Sequence, residues 1–300
     1  MRINLQPRQL LCFLRVAELE SFSLAARELA VSQPALSRTI QQVEAEIGAR
    51  LFDRTTRNVT LTPAGAELRP IASRLVAEFE GAFGELALFV VGRRGRVVVA
   101  ALPSVAAVLL PPAIVGFQAD FPDVEVSIQD GLSGSVLDAV REGRADIGIT
   151  MGPSPSDTLA YTPLLSDEFG LVCRQDSPLA AKQVAPWSIF SEHRFIAMSP
   201  ASSVRQMTDA AFLQAGVAVR PLYGCSFLGT AGHLVAAGLG ITALPLLTMP
   251  LIAPQPLCWR RLERPVMHRQ IGVVTRLGRS LAPAARNFLT ALTLAAEQIG

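Results

Sequence analysis

The segment Ser32-Gln33-Pro34-Ala35-Leu36-Ser37-Arg38 marks the start of a helix and shows which of its faces is free. Ser32 is a favourable N-cap and Pro34 is tolerated in a first helical turn, so a helix is predicted to begin here. From this point Leu36, Ile40, Val43 and Ile47 recur at helical spacing and place one face in a core. The opposite face carries Gln33, Ser37, Arg38 and Gln41. Arg can fork onto guanine O6 and N7 and Gln onto adenine N6 and N7, while Ser suits a base or a phosphate. The apolar-periodic run 22–31 ends just before Ser32, so two helices meet at a tight turn. Polar groups at the second helix's N-terminus make this a helix-turn-helix whose partner is double-stranded DNA.

Three runs extend the pattern. They are Phe22-Ser23-Leu24-Ala25-Ala26-Arg27-Glu28-Leu29, Leu51-Phe52-Asp53-Arg54 and Leu61-Thr62-Pro63-Ala64-Gly65. Together with Ser32 to Ser37, in this order and spacing, they closely resemble the N-terminal domain of LysR-type transcriptional regulators. Val43 departs from the family pattern, in which Leu commonly precedes the Glu, and should change only how the core fills. The resemblance implies a DNA-binding set of Ser32, Gln33, Pro34, Ser37 and Arg38. The Thr-rich stretch 51–61 fits a short winged hairpin, making Arg54 and Arg57 candidates for phosphate or minor-groove contacts. Arg54 matches the family's arginine after Leu-Phe.

Residues 7–19 form a first helix, with Leu10, Leu11, Phe13, Leu14 and Ala17 on its apolar side. Charge separates this domain from the rest: positions 1–62 hold eight Arg against six acidic residues, and the remaining 19 basic and 19 acidic residues cancel. A net charge of +2 therefore makes any nucleic-acid preference local. A long helical pattern fills 63–91, in which Leu68, Ala72, Leu75, Phe79, Ala82, Leu86 and Phe89 alternate spacings of four and three. Such a seam pairs with a second copy, and the family also uses a linker helix here, so Leu68, Leu75, Phe79 and Leu86 are expected to hold a dimer or a dimer of dimers.

Gly92-Arg93-Arg94-Gly95-Arg96 breaks the helix and gives the best domain boundary. Strands are predicted at 97–101, 124–129, 146–150, 170–173, 194–198, 219–222, 240–244 and 270–275. Helices are predicted at 104–118, 134–141, 203–215, 229–237 and 282–298. Alternating strands and helices point to a mostly parallel sheet with right-handed crossovers. The resemblance implies a fold class: an all-α winged helix-turn-helix over 1–62, a linker helix over 63–91, and a two-lobed α/β periplasmic-binding-protein-like effector domain over 92–300. Lobe I would take about 96–165 and 268–300, and lobe II about 166–267.

In open α/β sheets ligands bind beyond the carboxyl ends of strands, where helix N-termini present free N–H groups. The loops at Ser104, at Thr150 and Met151, and at Ser199, Ser202 and Ser203 meet that description, and matching loops line the effector cleft in this family. Val105, Met151, Cys225 and Phe227 would supply apolar walls. Ser104 and Ser203, each at a helix N-terminus, favour a small carboxylate as effector.

Several other functions lack their signatures. The chain has no Gly-x-Ser-x-Gly elbow and no phosphate-binding Gly-x-x-x-x-Gly-Lys, so an enzyme is not expected and no cofactor is called for. Its four cysteines and three histidines are dispersed, which argues against a metal site or a disulfide framework. Some family members sense peroxide through a cysteine pair, but no spacing among Cys173, Cys225 and Cys258 resembles theirs. The start Met1-Arg2-Ile3-Asn4-Leu5 lacks a signal peptide's apolar run, so a cytoplasmic protein is expected. The uncharged runs 97–117 and 231–254 are interrupted by prolines and read as buried strand-plus-helix units, with no membrane partner. The expected function is effector-modulated, sequence-specific transcriptional regulation, with RNA polymerase as a further partner. The rivals are a two-lobed solute-binding protein and a ligand-independent DNA binder.

Overall fold

The computed structural model describes residues 4–54, 59–153 and 158–299, so Arg57 lies outside the described residues. The chain divides into two units, Met1–Leu88 and Phe89–Gly300.

The first unit comprises α1 (Pro7–Leu19), α2 (Phe22–Glu28), α3 (Gln33–Ile47), the hairpin β1 (Phe52–Arg54) and β2 (Val59–Leu61), and most of α4 (Pro63–Val90). Phe13, Phe22, Leu36, Ile40, Val43 and Phe52 bury themselves in one core, and the Phe52 ring lies 5.4 Å from that of Phe13. The turn between α2 and α3 is a Schellman motif: Val31 N–H donates to Ala26 O at 2.9 Å and Ala30 N–H to Arg27 O at 3.2 Å. Ala30 accordingly takes φ 53°, a left-handed conformation usually left to glycine. The helix expected over 22–31 thus ends at Glu28, because its last residues turn the corner.

Two contacts fix the hairpin to the helices. Glu44 Oε1 on α3 accepts from Leu51 N–H at 2.9 Å, and Thr62 donates its hydroxyl to Arg50 O at 2.7 Å while accepting from Gly65 N–H. Gly65 is required at the foot of α4, since a Cβ there would lie 2.2 Å from Leu51 O. Along α4 the apolar seam divides. Leu68, Ala72 and Val76 pack onto the first unit's core, whereas Leu75, Phe79 and Leu86 remain exposed.

The second unit runs β3 (Gly95–Ala101), α5 (Pro103–Val108), α6 (Leu110–Asp120), β4 (Val124–Asp130), α7 (Ser133–Arg141) and β5 (Ile147–Met151). It continues through β6 (Leu159–Arg174), β7 (Val184–Pro186), α8 (Ile189–Glu192), β8 (Phe195–Met198), α9 (Ser203–Ala215), β9 (Pro221–Cys225) and α10 (Leu228–Ala236). It closes with β10 (Thr242–Pro245), α11 (Met249–Ile252), β11 (Leu257–Glu263), β12 (His268–Arg276) and α12 (Pro283–Glu297).

The main sheet is ordered β4-β3-β5-β12-β6-β11-β7, with β10 also on β6, and β8-β9 form a separate pair. Its pairing corrects the expectation of a mostly parallel sheet. Parallel ladders join β3 to β4 and β5, β7 to β11 and β8 to β9, but β6 and β12 pair antiparallel with every neighbour. The short strand expected at 170–173 is the end of the sixteen-residue β6, and β7 and β11 were not foreseen. β6 serves both lobes: residues 159–168 pair with β12, and residues 169–174 pair with β10 and β11.

The helix expected at 104–118 is two helices, because Pro111 and Pro112 open a new helix after Leu109. Lobe I packs around Val97, Val99, Phe117 and Phe288, and lobe II around Phe169, Trp187, Phe190, Phe195 and Phe212. The uncharged run 97–117 folds as β3, α5 and part of α6, and 231–254 as most of α10, then β10 and α11. No helix among the described residues is long and apolar enough to cross a membrane.

Candidate functional site

Two surfaces carry the candidate residues. On the first unit, Ser32 caps α3 by accepting from Ala35 N–H at 3.3 Å, and Gln33 Oε1 accepts from the Ser23 hydroxyl at 3.3 Å. Ser32, Gln33, Pro34 and Arg38 are exposed, and Ser37 is half-buried. Arg38 forms no ion pair among the described residues, so its five donors stay available. Arg54 ends β1 opposite Val59. Sequence reasoning missed Glu44, which positions the hairpin through a backbone contact that no side-chain pattern displays.

The second surface is a cavity of about 420 Å³ between the two lobes. Four helix N-termini reach it, through Pro103 and Ser104 of α5, Gly131 and Leu132 before α7, Ser202 and Ser203 at α9, and Phe227 and Leu228 at α10. Neither Leu132 nor Phe227 provides a side-chain cap, which leaves first-turn N–H groups of α7 and α10 without one. Ser202 caps α9 by accepting from Val204 N–H at 3.2 Å.

Of the effector candidates, Ser104, Ser202, Ser203 and Phe227 line this cavity and five do not. Val105 is wholly buried in the lobe I core. Thr150 is also buried, its hydroxyl bonded to that of Ser133 at 2.8 Å, and Met151 pairs with Ile271 in the sheet. The Ser199 N–H donates to Cys225 O at 2.8 Å, and Cys225 packs against the lobe II core. Val105 and Cys225 turn into the lobe cores and Thr150 toward Ser133, so none of these three side chains faces the cavity.

Sequence reasoning also missed the most constrained group in the cleft, Arg269 at the start of β12. It is 2% exposed, and its Nε and Nη2 both donate to Asp167 Oδ2, at 2.9 and 2.7 Å. Nη2 also donates to Ser104 Oγ at 2.7 Å, while Asp167 Oδ1 accepts from Leu247 N–H at 3.1 Å. Burial pulls Arg269 below the usual guanidinium range, and the Asp167 charge and hydrogen bonds oppose that pull. Asp167 and Arg269 face each other across β6 and β12 where the chain passes between lobes, so Ser104 on α5 is tied directly to the crossover.

Cys173 and Cys258 lie opposite each other on β6 and β11, with sulfurs 3.4 Å apart. Burial, reinforced by the hydrogen bond shared with Cys258, pushes the Cys173 thiol up to about 12. It is therefore a protonated core thiol rather than a nucleophile at neutral pH. The described residues hold no group of three or more His, Cys, Asp and Glu suited to a metal ion.

A winged helix-turn-helix joined by a long helix to a two-lobed α/β domain with a lined cleft defines a class, the DNA-binding transcriptional regulators with an effector-binding domain. The chain belongs to the LysR family. Residues 7–66 match the bacterial regulatory helix-turn-helix protein of the lysR family, and residues 91–296 match the LysR substrate binding domain. It is 34% identical over 283 residues to the uncharacterized HTH-type transcriptional regulator YfeR of Shigella flexneri, covering 94% of this chain and 92% of that protein. The oxidized form of Corynebacterium glutamicum OxyR is 27% identical with a TM-score of 0.72, covering 99% of this chain and 94% of that one. Full-length CbnR complexed with its target DNA shares the fold at 20% identity with a TM-score of 0.74, covering 97% and 100%.

Proposed function

We propose that this regulator binds its operators as a homo-oligomer through α3 and the β1–β2 hairpin, and that a small carboxylate in the inter-lobe cleft modulates DNA binding or activation. Gln33, Ser37 and Arg38 read bases, whereas Ser32, Arg54 and Arg57 hold the phosphate backbone. The DNA-bound CbnR structure, which has the same fold, supports this use of the first unit. The exposed stripe of Leu75, Phe79 and Leu86 supports pairing of α4 with a second copy.

The observation that carries the effector reading is the convergence of four helix N-termini on one cavity, together with the Arg269–Ser104 bond. Aligned N–H groups and the positive dipole ends favour a carboxylate, and Phe227, Leu228 and Leu251 favour an apolar body. Because Ser104 Oγ already accepts from Arg269, the Ser104 proton is free for a ligand oxygen. An effector that changes the lobe arrangement shifts the oligomer population and with it the spacing of the DNA-reading helices. Ser104→Ala should therefore abolish the effector's influence on a reporter promoter while leaving unliganded operator affinity intact. Unchanged effector response in that variant would refute the cleft reading.

A further inference from the structure

Resting on that reading of the cleft, we propose that the effector carries an ammonium group as well as a carboxylate, so that its class is a small amino carboxylate with an apolar side chain. The carboxylate meets the helix N-termini with the Ser104 hydroxyl, and the ammonium meets Asp130. Charge bookkeeping inside the cavity leads there. Among the described residues that line it, only Arg269 and Asp130 are charged. Arg269 is already neutralised: two of its donors are spent on one oxygen of a carboxylate that is itself 3% exposed, and Ser104 takes a further bond. Pulling Arg269 onto a ligand anion would strand Asp167 in the interior, where an unpaired charge is strongly disfavoured. Arg269 therefore positions Ser104 and supplies no net charge.

Asp130 is the reverse case. It ends β4 beside Ala101, at the mouth of the cavity between the α5 and α7 N-termini, and its side chain makes no hydrogen bond or ion pair among the described residues. A simple carboxylate entering this site would meet an uncompensated negative charge, whereas an amino carboxylate would turn that charge into a partner. The two ends of such a ligand match the two kinds of group the cavity offers. The third requirement, an apolar wall, is met by Phe227, Leu228 and Leu251 on the lobe II side. A cavity of about 420 Å³ suits a molecule of this size.

Calorimetry on the full chain tests this with leucine, methionine and phenylalanine, their des-amino acids and their carboxamides. The amino acids should bind at least tenfold more tightly than either analogue series. Asp130→Asn should weaken the amino acids at least tenfold while leaving the des-amino acids unchanged or tighter. Asp130 is exposed, and the comparison among ligands on the unmodified protein stands whether or not the variant folds. Des-amino acids that bind as well as the amino acids overturn the ammonium site alone. Carboxamides that bind as well as the acids, or no binding by any carboxylate, overturn the carboxylate reading beneath it.

Discussion

Removing either member of the buried Asp167–Arg269 pair should destabilise the second unit by about 3 to 5 kcal/mol. The two residues are 3% and 2% exposed, so neither charge is screened by solvent. Their attraction at a separation of about 4 Å is worth roughly 4 kcal/mol at an effective dielectric of about 20. Deleting Arg269 leaves the Asp167 carboxylate desolvated without its counter-ion, and deleting Asp167 strands the guanidinium and the Leu247 N–H. Each orphaned neutral partner adds about 1 kcal/mol. Asp167→Leu and Arg269→Met together remove both charges and fill similar volume, so the double variant should recover most of the loss. The assay is urea unfolding followed by tryptophan fluorescence, because both tryptophans, Trp187 and Trp259, lie in the second unit and leave the DNA-binding unit silent. A loss below about 1 kcal/mol in both single variants, or a double variant less stable than either, would refute this account of the crossover.

Arg38→Ala should cost about 1 to 3 kcal/mol of operator binding and relax base preference at one position per half-site, as read by binding-site selection. Replacing both Leu75 and Phe79 with Glu sets like charges against their symmetry mates, so sedimentation should show the dimer split while the Trp signal of the second unit persists. Ala30→Gly removes the cost of a left-handed alanine and should stabilise the first unit by about 0.5 to 1 kcal/mol in thermal unfolding. Cys173 should resist alkylation in the native protein at pH 8. Its folded-state value of about 12 lies above the value of about 8.5 for an unfolded thiol, so its contribution is fully present below the latter and is lost as pH rises towards the former. Stability of the second unit that is flat between pH 8.5 and 11 would contradict that linkage.

Local chemistry made the first unit legible. Ser32, Pro34 and the four-three-four apolar spacing of α3 specify a cap, a first turn and a buried face within one short segment, and the helix forms as they dictate. Ser104, Ser202 and Ser203, which line the inter-lobe cavity, were singled out the same way, because strand ends followed by helix starts are sequence-local features. What lay beyond reach was decided by strands meeting across long separations. β6 and β12 come together about a hundred residues apart, and only that pairing sets Arg269 beside Asp167 and both beside Ser104. The same kind of pairing, β6 with β11, draws Cys173 and Cys258 to within 3.4 Å although they are 85 positions apart, a proximity that no spacing rule could show. The direction of a side chain at a strand end has the same origin. Thr150 and Cys225 sit at positions that the sequence marks for a ligand, yet the pleat turns Thr150 toward Ser133 and Cys225 into the lobe II core. Sequence determined which strand ends lead into helices; tertiary pairing decided that Asp167 neutralises Arg269 while the Asp130 side chain has no partner among the described residues.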